Sequence, residues 1–174
     1  MNCTNLAILT QYDWICKEAK NKKMITEFPE PQRMRITGLP ASLTNLIMSY
    51  DLLANKNDTV WFITHELLLA EQDENSFSWN EFEKESLNAA ISQNDMAKVS
   101  EFWSNHFCFI MSVKSGYIHI SIVTKGENKG QIVWGEEPEY EDINVLAKTY
   151  DEFCSILTKH ISGVKKNEIL NIIL

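Results

Sequence analysis

The chain has no glycine-rich phosphate loop: its 174 residues include six glycines, and none sits in a GxGxxG or GxxxxGK arrangement. It has only two arginines, Arg33 and Arg35. No apolar run approaches the ~18 residues needed to cross a bilayer, and the four cysteines, Cys3, Cys16, Cys108 and Cys154, show no CxxC spacing. Met1-Asn-Cys-Thr-Asn-Leu6 lacks a basic segment followed by an apolar one, so no signal peptide is expected. These absences argue against a P-loop or dinucleotide-binding enzyme, a nucleic-acid binder that clamps phosphates through arginine, a membrane protein and a disulfide scaffold. A cytoplasmic protein with free, mostly buried cysteines is the expectation.

What is present is acid. The net charge of −8 is unevenly spread: residues 1–57 balance at +2, residues 58–142 at −11 and residues 143–174 at +1. Within the acidic middle, Glu136-Glu-Pro-Glu-Tyr-Glu-Asp142 packs five carboxylates into seven positions. Pro138 keeps that run out of a regular helix or central strand, so the charges are expected on a loop. The oxygen-ligand spacing of an EF-hand is missing there. A negative field of this kind suits a basic partner.

The 44% hydrophobic content is that of a folded chain, long enough to bury a core without metal or disulfides. Thr4 or Asn5 is placed to cap a first helix from Leu6 towards the lysines at Lys17–Lys23. Glu27–Pro31 breaks it, and Met34-Arg-Ile36 reads as extended. Gly38-Leu-Pro40 turns into a helix over 41–53 with Leu43, Leu46, Ile47 and Tyr50 on one face. Asn55-Lys-Asn-Asp58 is a turn, followed by a strand at Thr59–Ile63. Ser78 and Glu81 have capping-box spacing for a helix over 79–91, and Asp95 caps another with Met96, Val99, Phe102 and Trp103.

Phe107-Cys-Phe-Ile-Met-Ser-Val113 is apolar at both alternating sets of positions, as in a strand covered on two sides. Ser115-Gly116 turns into a second strand, Tyr117–Val123; Gln131–Trp134 and Ile143–Ala147 follow as the third and fourth. Thr149 caps a helix with Tyr150, Phe153, Ile156, Leu157 and Ile161 on one face. Lys165–Leu174 forms a short terminal helix that must dock or self-associate.

Catalytic patterns are thin. His65-Glu66 begins like a zinc-protease helix, but Leu69 occupies the place of the second histidine. His106, Cys108 and His119 bring metal-capable groups to neighbouring strands, yet His119 reads better as a hydrogen-bonded rim residue. Neither the pair Cys108/His119 nor Cys154/His160 has a nucleophile signature. No metal and no cofactor are expected.

The order of segments from Phe107 to Leu157 resembles the carboxy-terminal half of the SUKH superfamily, which contains the Smi/Knr-type cell-wall regulators and many bacterial toxin-immunity proteins, and with the entry helix upstream the resemblance covers about residues 36–161. The matching runs are Phe109-Ile-Met-Ser-Val113, Ser115-Gly-Tyr117, Ile132-Val-Trp-Gly-Glu-Glu-Pro-Glu-Tyr-Glu141 and Ala147-Lys-Thr-Tyr-Asp-Glu-Phe153, with Gly38-Leu-Pro-Ala-Ser-Leu-Thr-Asn-Leu-Ile47 as the entry helix. Where many members carry Gly-Asp between two core strands, this chain has Ser115-Gly116-Tyr117, so no role of that Asp transfers.

The resemblance implies one α+β domain over 1–174, a central antiparallel sheet of four to six strands wrapped by helices, with 64–105 as a helical insertion. It further implies an immunity protein (antitoxin) without enzymatic activity. Such a protein binds a cognate toxin, and the acidic surface favours a basic nuclease domain as that toxin. The expected contact residues are Trp134 and Tyr140 as aromatic anchors, the carboxylates of Glu136, Glu137, Glu139, Glu141 and Asp142, and a second acidic set at Glu71, Asp73 and Glu74. A Smi/Knr-type regulatory or scaffold protein is the alternative, and a small enzyme using Cys108 and His119 a further one. No nucleic-acid or membrane partner is expected.

Overall fold

The structure is a computed structural model that describes residues 6–21, 23–70 and 77–174. It is an α+β fold in which, among the described residues, seven strands lie in the sheet in chain order, every neighbour antiparallel: β1 (Trp14–Glu18), β2 (Tyr50–Asn55), β3 (Val60–Phe62), β4 (His106–Ser112), β5 (Ile118–Val123), β6 (Ile132–Glu136) and β7 (Asn144–Ala147). The buried side chains from Leu9 to Ile173 form one continuous core.

Seven strands exceed the expected four to six, and the extra ones come from segments that read as helix. Leu6–Gln11 is a 3-10 helix that stops short of the lysines. Asp13 then takes a left-handed φ of 61° and the chain enters β1. Pairing of Trp14–Lys17 with Leu52–Asn55 supplies the hydrogen bonds that a continued helix would have made internally. Likewise the helix from Ala41 ends at Ser49, not Leu53, because Tyr50 is already extended and begins β2.

The opposite correction applies at Met34-Arg-Ile36. Those residues close α1 (Glu30–Ile36), with Pro29 at its N-cap and Pro31 in its first turn. A proline there costs no hydrogen bond and presets the helical φ, so the two prolines start a helix as well as ending the preceding segment.

The hairpin from β2 to β3 is closed by Asn55. Its Oδ1 accepts from the amides of Thr59 (2.8 Å) and Val60 (3.1 Å), while Nδ2 donates to Thr59 Oγ1 (2.8 Å). Trp61 Nε1 donates to Asp58 Oδ1 at 2.7 Å.

The helices following Ala41 are α2 (Ala41–Ser49), α3 (His65–Leu69), α4 (Glu81–Ala89), α5 (Gln93–Asn105), α6 (Tyr150–Ile161) and α7 (Glu168–Ile173). The expected capping box is only half made: the Glu81 carboxylate accepts from the Ser78 amide (3.0 Å), but the Ser78 hydroxyl donates to that same carboxylate (2.7 Å), and α4 runs over 81–89, not 79–91, with Asn80 at its N-cap. Ser92, not Asp95, caps α5; its hydroxyl accepts from the Asp95 amide. Thr149 caps α6, accepting from the Glu152 amide at 3.1 Å.

Register divides the sheet into two faces. Trp61, Met111, His119 and Gly135 stand opposite one another across β3, β4, β5 and β6, and α4 and α5 supply Phe82 and Trp103 over this face. Phe109 meets α6, its ring 5.7 Å from Tyr150 and 5.3 Å from Phe153, both edge-on. The terminal helix docks: Leu170 and Ile173 are buried, and Ser112 Oγ donates to the Ile173 carbonyl at 2.7 Å. Cys16 and Cys108 are free thiols, but Cys154, expected to be free, is disulfide-bonded. Among the described residues no helix is long and apolar enough to cross a membrane.

Candidate partner-binding surface

The acidic loop is built outward from His119. This residue sits in the middle of a strand that is buried along its whole length. It is fully buried itself, so it needs partners for both ring nitrogens. Nε2 lies 2.9 Å from the Tyr140 carbonyl, which can only accept, so Nε2 carries the proton. Nδ1 is then the acceptor for the Ser121 hydroxyl at 2.7 Å. Burial pushes the His119 pKa down to about 4, so the ring is neutral near pH 7.

Gly135 makes this approach possible. A Cβ at that position would lie 2.5 Å from the Tyr140 carbonyl oxygen and 2.7 Å from His119 Nε2. The run Gly135-Glu136-Glu137 therefore leaves β6 with its first residue bare, and the following loop folds back over it to reach His119.

Three more ties hold the loop. The Glu137 amide donates to the Tyr117 carbonyl at 3.0 Å, and its carboxylate accepts from the Tyr117 amide at 3.2 Å. Trp103 Nε1, from α5, donates to Glu141 Oε1 at 3.0 Å. The Tyr140 ring stacks on Phe82 with centroids 5.0 Å apart. Glu136, Glu139 and Asp142 are exposed; Glu137 is exposed as well but has one oxygen engaged by the Tyr117 amide, and Glu141, held by Trp103, is half-buried.

Two of the expected anchors stand differently. Tyr140 is only 4% exposed and belongs to the core, because its ring and carbonyl are both used to pin the loop. Trp134 is half-buried and pairs with Ile120, whereas the next residue, Gly135, pairs with His119. Successive strand residues point to opposite faces, so Trp134 and Tyr140 do not flank one surface. The second acidic set, Glu71, Asp73 and Glu74, lies outside the described residues.

Sequence reasoning missed Glu85. It is exposed on α4, and its charge acts on the Tyr140 phenol. That phenol is pushed well above the ordinary tyrosine range, chiefly by burial and then by Glu137, Glu85, Tyr117 and Glu141. The signal available was the run Glu81-Phe-Glu-Lys-Glu85, of which Glu83 is spoken for by a two-pronged pair with Arg35 (2.7 and 2.9 Å).

Of the residues considered for nucleophilic or metal chemistry, Cys108, His119 and His106 are engaged in packing and hydrogen bonds. Cys108 is buried, donates to the Ile110 carbonyl at 3.3 Å, and has its pKa pushed up to about 12 by burial. A thiol held protonated in this way is a poor nucleophile. His119 has both nitrogens committed, at the centre of the sheet and not at its rim. His106 Nδ1 donates to the Phe102 carbonyl at 2.8 Å beneath the Phe102 ring, 4.0 Å away.

No family model, no curated protein and no solved structure matches this chain.

Proposed function

We propose that the protein is a non-catalytic binding protein of the immunity type, which neutralises a protein toxin by covering a basic cleft with its acidic loop. The observation that carries this reading is the way the loop is held. Glu136, Glu137, Glu139 and Asp142 project from a segment fastened to the sheet by Tyr117, His119 and Gly135 and to the helices by Phe82 and Trp103.

Holding like charges together costs free energy, and a loop whose only task was solubility would gain nothing from fixed geometry. A fixed array loses little entropy on binding and steers a basic partner from a distance. Glu85 extends the array onto α4. A toxin whose cleft is built for phosphate, such as a nuclease, is the partner chemistry that fits.

Action in the cytoplasm is part of the same proposal. It requires that the Cys154 disulfide be dispensable for folding, since the cytosol keeps thiols reduced. The test is capture from the native cell with the wild-type protein and with a Glu136→Lys/Glu139→Lys/Asp142→Lys variant, followed by mass spectrometry. A basic protein retained by the first and lost by the second supports the reading; equal retention of every captured protein removes it.

A further inference from the structure

Away from the acidic loop, three ligand-type side chains converge where β2 meets α3. Thr64 brings them together. Its hydroxyl accepts from the Leu67 amide (3.4 Å), capping α3, and donates to the Asp51 carbonyl on β2 (3.0 Å). The first two residues of the helix, His65 and Glu66, are thereby set against Asp51. Asp51 Oδ1 and Glu66 Oε1 each lie 3.3 Å from His65 Nε2, and the three atoms fall within 4.8 Å of one another.

The histidine is the anomaly. Its side chain is 1% exposed, yet neither ring nitrogen has a hydrogen-bond partner among the described residues. The two carboxylate oxygens are near Nε2 but not aligned to accept from it. Buried polar atoms in folded proteins are nearly always satisfied, so an orphaned imidazole flanked by two acids asks for something between them.

Ligand spacing supplies the answer. Nitrogen and oxygen ligands about 2.0–2.2 Å from a tetrahedral ion stand roughly 3.3–3.6 Å apart. Both of the nitrogen-to-oxygen separations here are 3.3 Å. Asp51 is also steadied from behind, its Oδ2 accepting from the Lys20 amide at 3.4 Å, as outer contacts steady a ligating carboxylate.

We propose that Asp51, His65 and Glu66 form a binding site for a divalent first-row transition-metal ion, with its remaining position open to the adjoining pocket. The imidazole disfavours calcium and magnesium, and the absence of a thiolate from the triad disfavours the soft ions, which leaves the zinc-like class. The pocket, about 460 Å³, is walled by Trp61, Phe62, Leu67 and Met111 and has Asp51 and Glu66 in its lining. It suits a ligand that offers an oxygen donor on an apolar body. This site is separate from the partner-binding reading and does not rest on it.

The test is titration of metal-stripped full-length protein with Zn²⁺ by calorimetry and with Co²⁺ by absorption. One ion per chain is expected, with cobalt bands of an oxygen–nitrogen site and no thiolate charge-transfer band. Glu66→Gln and Asp51→Asn change side chains that reach solvent, and each should weaken binding about tenfold or more. His65→Asn should abolish binding; if that variant fails to fold, the two carboxylate variants decide. The proposal is overturned by the absence of stoichiometric binding, by unchanged affinity in both carboxylate variants, or by a cobalt–thiolate band that places the ion on cysteine.

Discussion

Gly135 is the empty space into which His119 reaches: a Cβ there would stand 2.7 Å from the imidazole Nε2 and 2.5 Å from the Tyr140 oxygen that this nitrogen holds. Neither neighbour is the loose end of a flexible side chain; one is a ring locked at both nitrogens and the other is backbone. Gly135→Ala should therefore push the loop off the sheet and destabilise the protein by about 1–3 kcal/mol, the usual range for overpacking. Urea denaturation of the variant measures it, and an unchanged midpoint would mean that the loop is not seated as described.

His119 gives the fold an acid sensitivity. Its folded-state pKa of about 4 lies below the ordinary 6.5, so the unfolded chain binds a proton there first as the pH falls. Stability from this group is present in full above about pH 6.5 and is lost on the way down to about pH 4. The loss amounts to roughly 3 kcal/mol. Burial lowers the pKa of His106 and His160 in the same direction, so the comparison must be with His119→Gln. The wild-type protein should lose more stability than that variant between pH 6.5 and 4. Parallel pH profiles would count against a buried neutral imidazole.

The contact between Phe109 and Phe153 joins the sheet to α6. Both rings are fully buried with centroids 5.3 Å apart. Either residue changed to Ala should cost about 3–5 kcal/mol. The double variant should show a coupling of about 0.5–1.5 kcal/mol beyond area burial. Strict additivity in a double-mutant cycle would separate the two residues.

Much of this core was legible because its signals are local. Thr149 before an amphipathic run, Asn55–Asp58 as a turn, and the doubly apolar strand at Phe107–Ser112 each announce themselves within a few residues. Trp14–Glu18 and Tyr50–Asn55 did not, because they are strands only by virtue of pairing with each other across more than thirty residues. Tyr50 and Leu53 extend the helical spacing of Leu43, Leu46 and Ile47 by coincidence, and nothing local reveals the partner strand.

The candidate site divides along the same line. The acidic run is visible in composition, but Tyr140 within it reads in sequence as a surface aromatic, whereas its carbonyl lies on His119 and its ring on Phe82. Glu85 joins the array only through the packing of α4 against the loop. His65 and Glu66 lack the second histidine four residues on that would mark a zinc helix in sequence; Asp51, fourteen residues upstream of His65, comes beside them only when β2 and α3 meet.

In the proposed function the exposed carboxylates of the loop guide a basic partner. The most direct measurement is the association rate of the co-purifying partner at several salt concentrations, for the wild type and for Glu136→Lys/Glu139→Lys/Asp142→Lys. Exposed charges contribute little to folding, so the melting curve of the variant should stay close to that of the wild type. Its association should be slower, and the fall of the rate with added salt should flatten or reverse. Identical rates with an identical salt dependence would contradict the claim.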